Sequence, residues 1–161
     1  MEDATHYLAG ILIYEIFYLL FPNLNTLLGG FIILVLACLS HFLVDALSDI
    51  TYHLPNPKPS DKFWVSRKIL THMMLWSMLI IFWNPYWFVM IGSIIPDIVD
   101  WFILRRIFKK DDMIFFHPLI DKFRSKFFFW LPDLREKRWA LLNEFIVMGI
   151  LGIGIFLIKT L

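Results

Sequence analysis

Apolar positions fill most of the chain in long runs, and the few polar positions inside those runs recur at helical spacing. The run from Leu24 to Val44 contains no Asp, Glu, Lys or Arg, enough for a helix to cross a hydrocarbon layer of ~30 Å. Its end and continuation carry His41, Asp45, Asp49 and His53, each four positions after the last. Four residues turn a helix by about 400°, so these side chains form one polar stripe that drifts ~40° per step. The ends of the stripe lie ~18 Å apart along the axis, too far for a single ion. His41 and Asp45 can share one ion, and Asp49 or His53 would serve a second ion or a substrate.

The other runs have the same character. Residues 8–21 are apolar except for Glu15, and Pro22-Asn23-Leu24-Asn25 signals a turn. Three prolines alternate through Leu54 to Ser60, so that stretch is a loop. From Ile69 to Ile95 there is a charge-free run of 27 residues, interrupted at Asn84-Pro85. Read as a helical hairpin, this run gives five spans, at about 5–21, 24–52, 63–83, 86–108 and 139–160. The loops at 54–68 and 105–138 then share one face and carry 14 of the 15 Lys and Arg. Read as a single span, it would divide those basic residues between the two faces. The positive-inside rule selects the hairpin, with a cytoplasmic N-terminus and the C-terminus outside. Charge mixed with Phe115-Phe116 and Phe127-Phe128-Phe129-Trp130 makes 109–138 a cytoplasmic interfacial, amphipathic segment. The predicted architecture is all-α, a polytopic membrane helical bundle forming one integral membrane domain over 1–161.

Composition agrees with that class. The chain has 161 residues, 59% hydrophobic and 18% charged, with a mean hydropathy of +0.68. Soluble domains carry about 45–50% apolar residues and ~25% charged ones. Seventeen Phe and seven Trp suit a lipid-facing surface with interfacial anchors. A net charge of +1 gives no signature of a nucleic-acid partner, and the lone Cys38 excludes an intramolecular disulfide. Met1-Glu2-Asp3 lacks the basic start of a signal peptide, so the first apolar run is expected to remain in the mature chain.

The predicted topology brings the intramembrane ionisable groups together. Glu15, His41, Asp45, His72, Asp97, Asp100 and Glu144 come from all five spans. All are expected in the cytoplasmic half, with His6, His53 and His117 at or just beyond that surface. A charge at mid-membrane costs at least ~2.5–3.5 kcal/mol, so such residues are paired or functional. Carboxylates interleaved with imidazoles form a donor set for Zn, Mn or Fe, with Mg also possible. In Gly92-Ser93-Ile94-Ile95-Pro96-Asp97-Ile98-Val99-Asp100, Pro96 withholds a hydrogen bond from the Gly92 carbonyl and opens the helix beside Asp97. The bland alternatives are a kink bearing two interfacial carboxylates there, a packing histidine at 72, a loop histidine at 117 and a helix-capping Asn143-Glu144. Arg105, Arg106 and Arg124 are candidates to hold a phosphate.

Thr5-His6-Tyr7-Leu8-Ala9-Gly10, Ser40-His41-Phe42-Leu43-Val44-Asp45 and the 92–100 motif resemble the predicted membrane-bound metal-dependent hydrolases. That family combines an N-terminal Thr-His, a Gly-x-x-x-Pro-Asp-x-Asp-His motif and a His-x-x-x-Asp helix. Here the Pro-Asp motif follows the His-x-x-x-Asp helix, Asp100 takes the place of the family's His, and Val99 that of its second Asp. The resemblance implies metal binding by His6, His41, Asp45 and Asp97, with Asp100 as a substituted position.

The expected activity is a metal-dependent hydrolase acting on a phosphate ester or phosphodiester of a membrane lipid at the cytoplasmic leaflet of the cell (inner) membrane. His41, Asp45, Asp97, Asp100 and His6 would hold divalent metal. His72 or His117 would protonate the leaving group, and Asp49 or Glu144 would orient water or complete a second site. A divalent-cation or proton-coupled transporter and a noncatalytic membrane subunit are the alternatives. The oligomeric state is left open.

Overall fold

The computed structural model describes residues 3–24, 26–52, 54, 58–109 and 115–161, and every regular element among them is helical. Helix α1 (Asp3–Leu20) is the axis of the bundle, packed against α2 (Thr26–Ala46), α3 (Lys62–Ser93) and α6 (Leu141–Lys159). Its first half, Ala4 to Ile11, is wholly buried. Among the described residues, three helices are long and apolar enough to cross a membrane: Thr26–Ala46, Lys62–Ser93 and Arg138–Lys159. Their outer faces expose Leu27, Phe31, Trp76, Ile80 and Ile150, a surface that water would not tolerate and lipid does.

Within α3 the chain doubles back. Asn84 leaves helical geometry at φ −108° and ψ 115°, and Pro85 has no N–H to continue the ladder. Before the bend, Arg67 lies 3.8 Å from Glu144, which accepts a hydrogen bond from Thr5 at the start of α1. Just after it, Tyr86 hydrogen-bonds Glu15 near the far end of α1, where Lys159 also reaches Glu15 at 3.6 Å. The returning arm then runs back along α1 to the His6 end. Glycine makes that return possible at two places. A Cβ on Gly10 would lie 2.8 Å from the Val89 carbonyl oxygen, and one on Gly92 would lie 2.9 Å from Leu34.

Two elements depart from the expected regular helices. The span expected over 24–52 stops at Ala46 and turns into a 3₁₀ segment, Ser48–Ile50. The chain turns there on short-range bonds, Ile50 N–H to the Leu47 carbonyl and Thr51 N–H to that of Ser48, and tertiary donors fix the turn. The Leu134 N–H donates to the Asp49 carbonyl at 2.7 Å, and Asn143 Nδ2 donates to that of Ile50 at 2.6 Å. The return arm breaks at Ile94, resumes as the short α4 (Ile95–Asp97) and widens into π-type winding over Ile98–Ile107. The interfacial segment contains an amphipathic helix, α5 (Phe116–Phe127). Phe115, Phe127, Phe129 and Trp130 project from this region.

Candidate metal centre

The site is assembled where α2, the broken return arm and α5 meet. On α2, His41 and Asp45 sit one turn apart, with Nε2 of His41 3.2 Å from Oδ2 of Asp45. The break at Ile94 sets its neighbour Ser93 beside His41, whose Nδ1 donates to the Ser93 carbonyl at 2.9 Å. A carbonyl only accepts, so Nδ1 carries a proton and Nε2 is the ring atom turned to the carboxylates. Asp97, on α4, brings Oδ1 to 3.8 Å from that same Nε2.

His117 closes the group from α5. Its Nε2 lies 3.3 Å from Asp97 Oδ1 and 3.8 Å from Asp45 Oδ2. Asp100 holds it there. The Asp100 carboxylate accepts the backbone N–H groups of Phe115, Phe116 and His117 at 2.9, 2.8 and 2.8 Å, and His117 Nδ1 at 2.7 Å. Pro118 has no N–H to satisfy, so one buried carboxylate caps the helix start and orients the imidazole. Burial pulls the His117 pKa down, but the hydrogen bonds to Asp97 and Asp100 more than offset it, and the group is pushed up to about 9.

One ligand atom from each of His41, Asp45, Asp97 and His117 lies within 4.8 Å of all the others, so the four could hold a metal ion. The fit is chemical as well as geometric. His41 is fully buried, and its Nε2 has no hydrogen-bond partner of normal geometry. The two carboxylates converge in a poorly hydrated site, and a divalent cation there would neutralise them and displace the proton that His117 holds in the metal-free protein. Two imidazole nitrogens and two carboxylate oxygens suit Zn, Mn or Fe.

The remaining candidates fall elsewhere. His6 stacks on His41 with ring centroids 4.1 Å apart and places Nε2 3.2 Å from Oδ1 of Asp45, so it backs the cluster through Asp45. Asp100, expected as a ligand, lies outside the four-residue group and spends its oxygens on the start of α5 and the His117 ring. Asp49 leaves the stripe because α2 has ended, and it pairs with Arg124 at 3.0 Å and Arg135 at 3.2 Å. His53 lies outside the described residues. His72 is exposed on α3 and bonded to the Lys68 carbonyl of its own helix, because Arg67 and Thr71 occupy the inward face. Glu144 is buried in a separate cluster with Thr5 and Arg67. Arg124 is engaged by Asp49 and Asp121, Arg106 is exposed, and Arg105 lies over the Trp101 ring.

Trp101 is the neighbour that sequence reasoning missed. Its Nε1 is 3.1 Å from His117 Nε2. The role of Asp100 had a readable signal. Phe116-His117-Pro118 has a first-turn proline and no Ser, Thr, Asp or Asn just before it, so its cap had to come from elsewhere. Comparison of the chain with protein-family models, with curated proteins and with solved structures gives no match.

Proposed function

We propose that the chain is a five-span integral protein of the cell membrane and a metal-dependent hydrolase that cleaves a phosphate ester or phosphodiester of a lipid at the cytoplasmic leaflet. The observation that carries this reading is the cluster of His41, Asp45, Asp97 and His117. His41 is buried and Asp45 is largely covered, while Asp97 and His117 stay about a quarter open beside an aromatic, basic helix suited to a lipid interface. A divalent ion there would act as a Lewis acid towards a phosphoryl oxygen and acidify water. Asp97 and His117 form the accessible rim, His41 and Asp45 the buried wall, and His6 and Asp100 hold that frame in place.

A transporter needs a polar path to the opposite face. Polar side chains reappear there as Glu15, Tyr86 and Lys159. Between the two ends, Ile11, Ile33, Val89 and Met90 are fully buried in an apolar layer, which favours a blind-ended site over a conduit. The placement of 14 of the 15 basic residues supports a cytoplasmic N-terminus and an external C-terminus.

Elemental mass spectrometry of detergent-purified protein tests the metal, beside a His41→Ala, Asp97→Ala double variant. Stoichiometric Zn, Mn or Fe that disappears in the variant, with phosphate release from a lipid phosphate by the wild type alone, is the expected outcome. A wild type that stays metal-free after reloading sinks the hydrolase reading.

A further inference from the structure

Away from the metal centre, the starts of α3 and α6 border a cavity of about 450 Å³ lined by Lys58, Ser60, Asp61, Lys62, Phe63 and Arg138. Local rules place most of these residues. Asp61 caps α3, its Oδ1 accepting the Phe63 and Trp64 N–H groups at 3.0 and 3.3 Å. The turn before it closes with the Asp61 N–H on the Lys58 carbonyl at 3.0 Å, so Lys58 and Lys62 flank the cap. Arg138, just before α6, reaches across from the other end of the chain. Its guanidinium lies 5.1 Å from the centre of the Phe63 ring and 3.7 Å from Asp61 Oδ1. Three cations therefore meet one carboxylate, and that carboxylate already serves the helix cap. Lys58 and Lys62 are exposed and have no ion-pair partner among the described residues. Arg138 is 66% exposed, and its single contact with Asp61 leaves most of its five N–H donors open.

We propose that this cavity binds the headgroup of an anionic phospholipid at the membrane face where α3 and α6 begin. Its volume falls in the ~300–1,000 Å³ range of small-molecule sites, and its surplus of positive charge selects an anion. The Arg138 fork pairs with phosphate oxygens, and Lys58 and Lys62 add point charges on either side. What makes the ligand a lipid is the surface that continues from the cavity. The Lys62 face of α3 goes on to expose Ile69, Met73, Trp76 and Ile80, which return to one side of the helix at steps of three and four. The outward side of α6 exposes Leu142, Ile146, Ile150 and Ile153. A seated headgroup can lay its acyl chains on these apolar faces, whereas a soluble anion gains charge pairing alone. Trp139, next to Arg138 and 61% exposed, is the residue type that anchors at headgroup level. A quaternary ammonium brought to three cations would be repelled, so phosphatidylcholine fits poorly. None of these residues belongs to the four-residue group, and the site does not depend on the hydrolase reading.

The test is native mass spectrometry of the full chain in a neutral detergent, titrated with dioleoyl phosphatidylglycerol, dioleoyl phosphatidylcholine and inorganic phosphate. The wild type should retain one phosphatidylglycerol about tenfold more tightly than phosphatidylcholine. A cation at the membrane surface is worth about fivefold in affinity for an anionic lipid. Lys58→Gln and Lys62→Gln should therefore each weaken phosphatidylglycerol by about fivefold, and the two together by roughly twentyfold. Both side chains are exposed, so neither change threatens the fold. Lys122→Gln, which alters an exposed cation on α5, should leave retention unchanged. Wild-type retention in the double variant, an equal loss in Lys122→Gln, or equal retention of phosphatidylcholine overturns the site. Displacement of phosphatidylglycerol by inorganic phosphate at matched concentration overturns the assignment to lipid. Selective retention by protein that holds no metal and turns over no lipid phosphate upholds this site and sinks only the hydrolase reading.

Discussion

Asp100→Ala is the sharpest perturbation of the site, because the residue touches no other member of the cluster except His117. It removes the acceptor for three backbone N–H groups at 2.8–2.9 Å and for His117 Nδ1 at 2.7 Å. Loss of a helix cap costs about 1 kcal/mol, and loss of a hydrogen bond to a charged group about 1.5–3 kcal/mol. Water can reach His117, about a quarter open, and replace part of this, so the net effect is about 2–3 kcal/mol against docked α5. If docking is what presents Nε2, metal affinity falls about 10–100-fold, as for other partners that orient a ligating imidazole. Hydrogen-exchange mass spectrometry of the 116–127 peptide, with chelator competition for the metal, reads both consequences. Protection of that peptide at wild-type level would refute the capping argument. Lost protection with unchanged affinity would remove His117 from the metal centre.

Other consequences follow from the same geometry. Gly10→Ala places a Cβ against the Val89 carbonyl, which cannot swing aside, and should cost about 1–3 kcal/mol in detergent melts, whereas Gly149→Ala, with nothing within 4 Å, should be neutral or slightly stabilising. Asp49→Asn and His72→Ala should both leave metal content unchanged in elemental analysis, and Asp49→Asn should cost no more than about 1 kcal/mol, since its arginine partners are partly exposed. In metal-stripped protein, the raised His117 pKa makes its ion pairs with Asp97 and Asp100 contribute fully below the unfolded value of 6.5. That contribution should fade as pH rises through about 9, seen as loss of exchange protection in 116–127. Bound metal displaces the Nε2 proton, so in the loaded protein the docking should weaken towards acid instead.

Much of this protein is local in origin and therefore legible in the chain. Uninterrupted apolar runs make α2, α3 and α6 long enough for a bilayer because hydrophobicity adds residue by residue. The pairing of His41 with Asp45 follows from the i, i+4 period of any helix, and Pro96 marks the break beside Asp97. What periodicity does not contain is where a helix stops and which face turns inward, and both are decided by partners distant in sequence. Asp49 falls off the polar stripe because the helix ends at Ala46 and donors from Leu134 and Asn143 fix the turn that follows it. His72 faces outward because Arg67 and Thr71 fill the inward side of its helix. His117 joins the centre only because the buried Asp100 carboxylate finds its donors in a helix start that lacks a cap of its own. The apolar helices and the His41–Asp45 pair on one of them are therefore written locally in the chain. The tertiary structure alone decided the four-residue centre, because each of its long-range contacts depends on which chain segment satisfies a buried polar group.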